Sequence, residues 1–177
     1  MLTLVGMPGS GKSTVGRALA RRLGRRFVDT DRLIESRIGC PIRDFFAAEG
    51  EDRFRGVESA VLAEVLGDGT PTVVATGGGI VLAEGNRRLL RDKSIVLYLR
   101  VPVEELCRRV ANDTQRPLLQ GSDPRERLRQ LLADREPLYR AVAHFTLDDA
   151  RPTVGRMVRK AIMQLELSGH LSGQTAP

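Results

Sequence analysis

A glycine-rich segment near the start of the chain combines the residue types that bind phosphate. It runs Gly6-Met7-Pro8-Gly9-Ser10-Gly11-Lys12-Ser13-Thr14. Glycines allow successive backbone amides to face a phosphate group, while a lysine and the hydroxyl after it supply a mobile cation and a ligand for Mg²⁺. The segment predicts a nucleoside triphosphate site in which Lys12 reaches the β- and γ-phosphates and Ser13 binds the metal ion. Further phosphate contacts are expected from Gly9, Ser10, Gly11 and Thr14.

Two aspartates, Asp29 and Asp31, lie two positions apart after a short apolar segment. Phosphate-binding loops of this kind usually share their Mg²⁺ with an aspartate that ends a neighbouring strand. Because ligands bind at the carboxyl ends of parallel strands, both carboxylates can face the phosphates. The alternative is helix capping, with Thr30 or Asp31 at the start of the next helix. The spacing alone leaves both interpretations open.

Arginines and glycines further along the chain have the chemistry needed to hold an anionic, hydroxyl-bearing acceptor. Arg55 and Arg135 can grip a carboxylate through paired hydrogen bonds. The triple glycine at residues 77–79 lets a ligand approach the backbone closely. Asp31 can accept hydrogen bonds from hydroxyl groups. Together these residues predict an acceptor site beside the γ-phosphate.

Each of these features also has a simpler explanation when taken alone. Arg55 and Glu58, three residues apart on a predicted helix, can form a surface ion pair. The triple glycine can be a tight turn after a strand, and Arg116 can be one of many exposed arginines.

Short apolar segments alternate with amphipathic segments, which is typical of an α/β protein with a parallel sheet. The predicted strands cover residues 2–5, 27–28, 72–75, 94–99 and 145–147. Helices are predicted at residues 12–23, after Asp31, from Pro41, and at residues 51–66, 103–110, 125–139 and 154–167. Residues 112–124 are expected to form a loop, and residues 168–177 a frayed tail. The glycine-rich segment therefore joins the first strand to the first helix, as phosphate binding requires.

Length and composition restrict the class of protein. A chain of 177 residues, 41% of them apolar, is expected to form one globular domain. Its apolar segments are too short to cross a bilayer, and the first strand leads directly into the glycine-rich segment, so we expect a cytoplasmic protein. Two cysteines and two histidines disfavour a disulfide framework, a histidine-based metal site and a Ser-His-Asp arrangement. The formal charge of +6 comes with 4% aromatic residues and favours phosphate and carboxylate ligands over nucleic acid.

In these motifs the chain resembles the shikimate kinases, a family of P-loop kinases similar to the nucleoside monophosphate kinases. The shared motifs are, in order, Gly-x-Pro-Gly-Ser-Gly-Lys-Ser-Thr, Asp-Thr-Asp, Gly-Glu-x-x-Phe-Arg-x-x-Glu, Gly-Gly-Gly, Arg-Pro-Leu-Leu and Arg-x-Pro-Leu-Tyr. The resemblance covers nearly all of the chain, from Leu4 to about Leu167, and no motif position departs from the family pattern. The resemblance implies a three-layer α/β fold with a five-stranded parallel sheet flanked by helices. It implies a single kinase domain at residues 1–167, an acceptor-binding region at about residues 30–60, a mobile lid at about residues 112–124 and a flexible tail at residues 168–177.

The resemblance also implies an activity, in which the γ-phosphate of MgATP passes to the 3-hydroxyl of shikimate. The products are shikimate 3-phosphate and ADP, on the way to chorismate and the aromatic amino acids. The expected partners are shikimate and ATP, with no nucleic acid or membrane, and the expected state is a monomer.

Site roles follow from the resemblance residue by residue. The catalytic residues are Lys12, Asp31, which is a candidate base at the acceptor hydroxyls, and Arg116, which swings in with the lid. Mg²⁺ is served by Ser13 and, through water, by Asp29. The remaining assignments are Arg55 and Arg135 to the acceptor carboxylate, Gly77, Gly78 and Gly79 to the acceptor pocket, and Arg109 and Pro152 to the two sides of the adenine.

Two other functions remain as alternatives. A related small-molecule kinase such as a gluconate kinase would keep the glycine-rich segment but has no need of Phe-Arg-x-x-Glu together with Arg-x-Pro-Leu-Tyr. A nucleotide-binding module that has lost catalysis would show decay at the acceptor residues, which are intact here. A GTPase is disfavoured because the chain has no Asn-Lys-x-Asp motif, and an adenylate kinase because it has Gly-Lys-Ser-Thr in place of Gly-Lys-Gly-Thr.

Overall fold

The computed structural model describes residues 1–110, 124–149 and 152–171, with the backbone alone at Val110 and Pro124. The strands are β1 (Leu2–Val5), β2 (Arg26–Asp29), β3 (Thr72–Ala75), β4 (Ile95–Arg100) and β5 (Phe145–Asp148). The helices are α1 (Lys12–Arg22), α2 (Thr30–Ile38), α3 (Ile42–Gly67), α4 (Glu84–Lys93), α5 (Val103–Val110), α6 (Pro124–Val142) and α7 (Val154–Leu167).

The five strands form one parallel sheet in the order β2-β3-β1-β4-β5. Every residue of β1 and β3 is buried, because helices flank the sheet on both faces. Since the strands run in one direction, the segments that follow β1, β2 and β3 meet at one edge. These segments contain the glycine-rich segment, the two aspartates and the triple glycine. The predicted α/β fold with a five-stranded parallel sheet is thereby confirmed.

A glycine in α1 sets how closely that helix approaches the sheet. A Cβ built at Gly16 would lie 2.8 Å from Leu4 Cδ1 in β1 and 2.8 Å from Phe27 Cε2 in β2. A larger residue would push the helix away, because side chains in a packed interior have little room to move. Gly16 therefore fixes α1, and with it the loop at the helix N-terminus, against β1 and β2.

Two helices depart from a simple reading of the pattern. α3 has a sharp kink at Gly50, where φ is 81° and ψ is 175°, and its two halves match the two helices predicted for this stretch. α4 is a helix that the pattern does not predict, because Gly85 lies in its first turn and most of its residues are charged or polar. Asn86 anchors it, since its buried Nδ2 donates to the carbonyl of Ile80 at 3.1 Å.

Some predicted segments fall outside the described residues. The lid at residues 112–124 does so apart from the backbone of Pro124, and Arg116 lies in that gap. α7 ends at Leu167 as predicted, residues 168–171 continue as turns, and the rest of the predicted tail is outside the described ranges. The domain limits stay a prediction. Within the described ranges, no helix combines the length and the apolar character needed to cross a membrane.

Candidate active site

The glycine-rich segment forms a loop whose backbone is available to bind an anion. Gly11 precedes α1 with φ of 91°, and no side chain among the described residues caps this end of the helix. The first amides of α1 therefore keep the hydrogen-bonding capacity and partial positive charge that attract phosphate. Lys12 is 7% exposed, and its Nζ donates to the carbonyls of Gly6 at 2.8 Å and Met7 at 2.9 Å. The predicted phosphate-binding residues are thus assembled in one loop.

A cavity of about 420 Å³ extends along this loop. Its walls include the loop residues from Pro8 to Val15, Arg109 and Pro152 at one side, and Asp31 and Gly78 at another. The cavity therefore joins the predicted adenine, phosphate and acceptor positions.

Arg109 connects two walls of the cavity. Its NH1 donates to the carbonyl of Ser10 at 3.3 Å, and its NH2 donates to the carbonyl of Pro152 at 2.8 Å. Glu105, one turn earlier on α5, accepts from Arg109 Nε at 2.7 Å. The two residues predicted to flank the adenine are thereby brought into contact with each other and with the phosphate loop.

The two aspartates take different positions. Asp29 is the N-cap of α2, and its Oδ1 accepts from the backbone N–H of Asp31 at 3.1 Å, so the capping interpretation is confirmed for this junction. Asp31 lies in the first turn of α2 and lines the cavity. Capping uses one oxygen of Asp29, and its predicted role at Mg²⁺ stays a prediction.

A buried carboxylate, that of Glu58, lies among the residues predicted to bind the acceptor. The Glu58 side chain is 1% exposed, and its Oε2 accepts from Arg55 NH1 at 2.7 Å. Burial raises the pKa of Glu58, the nearby Arg55 opposes that rise, and Asp31 adds to it while Arg135 opposes it. The interpretation of Arg55 and Glu58 as a surface ion pair is therefore wrong. The spacing of the two residues indicates the pair, but burial depends on neighbours that are distant in sequence.

The φ angles of residues 77–79 lie outside the left-handed region, so the backbone conformation does not require glycine there. Glycine is required because a side chain would not fit. A Cβ built at Gly77 would lie 2.8 Å from Asp31 Oδ1 and 2.9 Å from Glu58 Oε1. Real Cβ atoms essentially never come this close to another heavy atom. The absence of a side chain at Gly77 therefore lets two carboxylates approach the same strand end.

The next two glycines make room for other parts of the site. At Gly78 a Cβ would lie 2.7 Å from Cδ of Pro8 in the phosphate loop. At Gly79 it would overlap the guanidinium of Arg55, at 2.6 Å from NH2 and 2.7 Å from Cζ. The triple glycine thus brings the phosphate loop and Arg55 against the end of β3.

Arg135 and Tyr139, one turn apart on α6, hold the carbonyl of Gly78. Arg135 is 6% exposed and donates from NH1 at 3.3 Å, while the Tyr139 hydroxyl donates at 2.5 Å. Tyr139 is fully buried and stacks on Tyr98 with ring centroids 5.1 Å apart. Burial raises the pKa of Tyr139, so its hydroxyl stays protonated and remains a donor. Sequence reasoning assigns no role to Tyr139, although its spacing of four from Arg135 on a predicted helix is the signal that pairs them.

Comparison with known proteins identifies the family to which this arrangement belongs. A family model described as shikimate kinase matches residues 8–166. The shikimate kinase of Paracidovorax citrulli strain AAC00-1 is 51% identical over 168 residues, covering 94% of this chain and 92% of that protein.

Solved structures agree in fold over nearly the whole chain. Shikimate kinase from Acinetobacter baumannii, in complex with shikimate, has a TM-score of 0.90 and 44% identity over 97% of this chain and 94% of its own. A gluconokinase from Sinorhizobium meliloti 1021 has a TM-score of 0.59 and 20% identity over 99% of this chain and 97% of its own, which is a likeness of fold alone. The chain belongs to the shikimate kinase family of ATP-dependent kinases.

Proposed function

We propose that this enzyme transfers the γ-phosphate of MgATP to the 3-hydroxyl of shikimate, giving shikimate 3-phosphate and ADP. The observation that carries the proposal is that one cavity is lined by the phosphate loop and by Asp31 and Gly78. Phosphoryl transfer depends mainly on position and on neutralised charge, so a donor site and an acceptor site in one cavity meet its first requirement.

The acceptor end recognises a carboxylate and hydroxyl groups. Arg55 and Arg135 supply two guanidinium groups beside the triple glycine, which suits a planar carboxylate. Asp31 lines the cavity and accepts hydrogen bonds from the ring hydroxyls. As the 3-hydroxyl attacks the γ-phosphorus, its proton passes to Asp31, which is the base of the reaction.

The donor end neutralises the charge of the phosphates. Lys12 leaves the carbonyls of Gly6 and Met7 and reaches the β- and γ-phosphates. Arg116 approaches the phosphates from the lid, which also excludes water as a competing acceptor. Both cations stabilise the charge that develops in the transition state.

Mg²⁺ fits the oxygen donors at this edge of the sheet. Ser13 lines the cavity with its hydroxyl in the first turn of α1, and Asp29 ends β2 with a partly buried carboxylate. Hard oxygen ligands, a carboxylate reached through water and two substrate phosphates match the preference of Mg²⁺. With ATP bound, a Mg²⁺ ion held by Ser13 and Asp29 would neutralise negative charge on the substrate phosphates.

We also propose that the enzyme works as a monomer in the cytoplasm. Support for a monomer comes from the arrangement of the site, in which Lys12, Asp31 and Gly78 line one cavity. Sedimentation velocity of the purified protein measures its oligomeric state.

A coupled assay of ADP release tests the function, with shikimate, quinate, gluconate and AMP as separate acceptors. We expect rapid release with shikimate and little above the acceptor-free rate with gluconate or AMP. Gluconate carries a carboxylate but has no ring, so it tests recognition beyond charge. A faster rate with gluconate than with shikimate would favour the alternative of a gluconate kinase. ATP binding without turnover of any acceptor would favour the alternative of a non-catalytic nucleotide-binding module.

A further inference from the structure

The guanidinium of Arg55 holds a carboxylate on each of its two edges. Its Nε and NH2 donate to Oε1 of Glu51 at 3.2 and 3.0 Å, and its NH1 donates to Oε2 of Glu58 at 2.7 Å. These are its two acidic partners in the part of the chain that the structure describes. A guanidinium binds a planar carboxylate through two parallel hydrogen bonds along one edge. An acceptor carboxylate that needs a whole edge must therefore displace one of the two glutamates.

The two glutamates differ in how easily they leave Arg55. The Glu58 side chain is 1% exposed, and separating a buried ion pair leaves uncompensated charge away from water. The Glu51 side chain is 56% exposed, and an exposed pair of this i,i+4 kind exchanges with water at little cost. Glu51 is the partner that an incoming carboxylate replaces.

Arg55 keeps its position when Glu51 swings into solvent. Glu58 still holds NH1 from the buried side. The guanidinium lies against Gly79, and its Cζ lies 5.3 Å from the ring centroid of Phe54. Glu51 is therefore not needed to place the guanidinium.

The exchange also conserves the charge of the site. The charges of Arg55, Asp31 and Arg135 all affect the pKa of Glu58, because these groups lie close together. With Glu51 in place, two guanidinium groups face three carboxylates. An acceptor carboxylate that replaces Glu51 leaves this balance unchanged, whereas one that entered beside it would add a fourth negative charge.

We propose that Glu51 is a specificity-determining residue that occupies the acceptor's place on Arg55 until the acceptor displaces it. A simple anion would make a contact with Arg55 only, and it would therefore displace Glu51 poorly. The acceptor also makes contacts with Arg135 and Asp31, and it therefore displaces Glu51 from Arg55. This inference rests on the proposed function, since it takes shikimate as the acceptor.

Steady-state kinetics of Glu51→Gln tests the inference, with Asp52→Asn as a matched control. Asp52 is the next residue along α3 and is also exposed, so its substitution removes the same charge and leaves the Glu51 contact intact. We expect Glu51→Gln to lower the KM for shikimate about two- to fivefold, the range of an exposed ion pair, with no change in the KM for ATP. Asp52→Asn should leave both constants as in the parent.

A KM for shikimate that is unchanged or raised in Glu51→Gln overturns the proposal, and so does an equal fall in Asp52→Asn. A shikimate analogue with a hydroxymethyl group in place of the carboxylate provides a second measurement. As a competitive inhibitor it should bind the parent and Glu51→Gln equally, because it does not compete for Arg55. A gain in its affinity equal to that of shikimate would also overturn the proposal. A parent enzyme without shikimate-dependent ADP release would instead overturn the proposed function, and this inference with it.

Discussion

Replacing Gly79 with alanine should damage acceptor binding through one displaced group, the guanidinium of Arg55. The new Cβ would lie 2.6 Å from NH2 and 2.7 Å from Cζ, whereas ordinary contact begins at 3.4 Å. Since NH1 lies closer still, the guanidinium must move by about 1 Å, which is enough to spoil a two-pronged hydrogen bond to a carboxylate. Because this is the far end of a flexible side chain, the backbone can stay in place.

The size of the effect follows from the hydrogen bonds that are lost. A hydrogen bond to a charged group contributes about 1.5 to 3 kcal/mol, so we expect kcat/KM for shikimate to fall about 10- to 100-fold. The KM for ATP should stay within about twofold, since the phosphate loop is not displaced. The assay is coupled ADP release, with shikimate varied at saturating ATP and then the reverse.

Gly56→Ala is the control for this prediction. Gly56 follows Arg55 on α3, and a Cβ built there meets no atom of the described chain within 4 Å. Its kinetics should match the parent, and alanine in a helix should raise the stability by about 0.5 to 1 kcal/mol. If Gly79→Ala keeps the parental kcat/KM for shikimate, Arg55 does not need this position and our account of the acceptor site is refuted.

Three further predictions concern other groups. Arg135→Lys should raise the KM for shikimate far more than the KM for ATP, because an ammonium cannot reproduce a two-pronged contact; equal effects on both constants would remove Arg135 from the acceptor site. Asp31→Asn should abolish turnover and weaken shikimate binding in calorimetry, whereas Asp29→Asn should mainly raise the Mg²⁺ concentration for half-maximal rate; the reverse pattern would exchange the two roles. Burial, followed by the charges of neighbouring cationic groups, lowers the pKa of His144, whose Nδ1 accepts from the backbone N–H of Val96 at 3.0 Å. Neutral His144 therefore stabilises the folded protein above the pKa of about 6.5 that it has in the unfolded chain, and this stability is lost as the pH falls. The drop in Tm between about pH 7.5 and 5.5 should be smaller in His144→Asn than in the parent. An equal drop in both proteins would contradict this assignment.

The parts of the fold that sequence predicts well are those in which local pattern and tertiary packing agree. β1 and β3 are short apolar segments with glycines after them, and α5 follows Pro102. The bounds of β1, β3, α5 and α7 match the prediction. α4 is different, because its charged sequence and early Gly85 disfavour a helix locally. The contact of Asn86 with the carbonyl of Ile80 holds it, and local propensity carries no information on that contact.

The same distinction applies to the candidate site. The spacing of Lys12 and Ser13 in the loop is a local pattern, and it suffices to predict the loop between a strand and a helix. The bond from Tyr139 to the carbonyl of Gly78 joins residues 61 positions apart, and the burial of Glu58 depends on the packing of α3 against the glycines that follow β3. Such facts are properties of the assembled chain, and residue spacing alone does not contain them.

The bridge made by Arg109 has a consequence for the entropy of ligand binding in the cavity. By bonding to the carbonyls of Ser10 and Pro152, this one side chain holds the segment before α7 against the phosphate loop within the folded chain. The conformational entropy of ordering the cleft is then lost during folding and not during binding. A ligand that contacts this wall then meets a surface that is already in place, so less of its binding free energy is spent on ordering the protein.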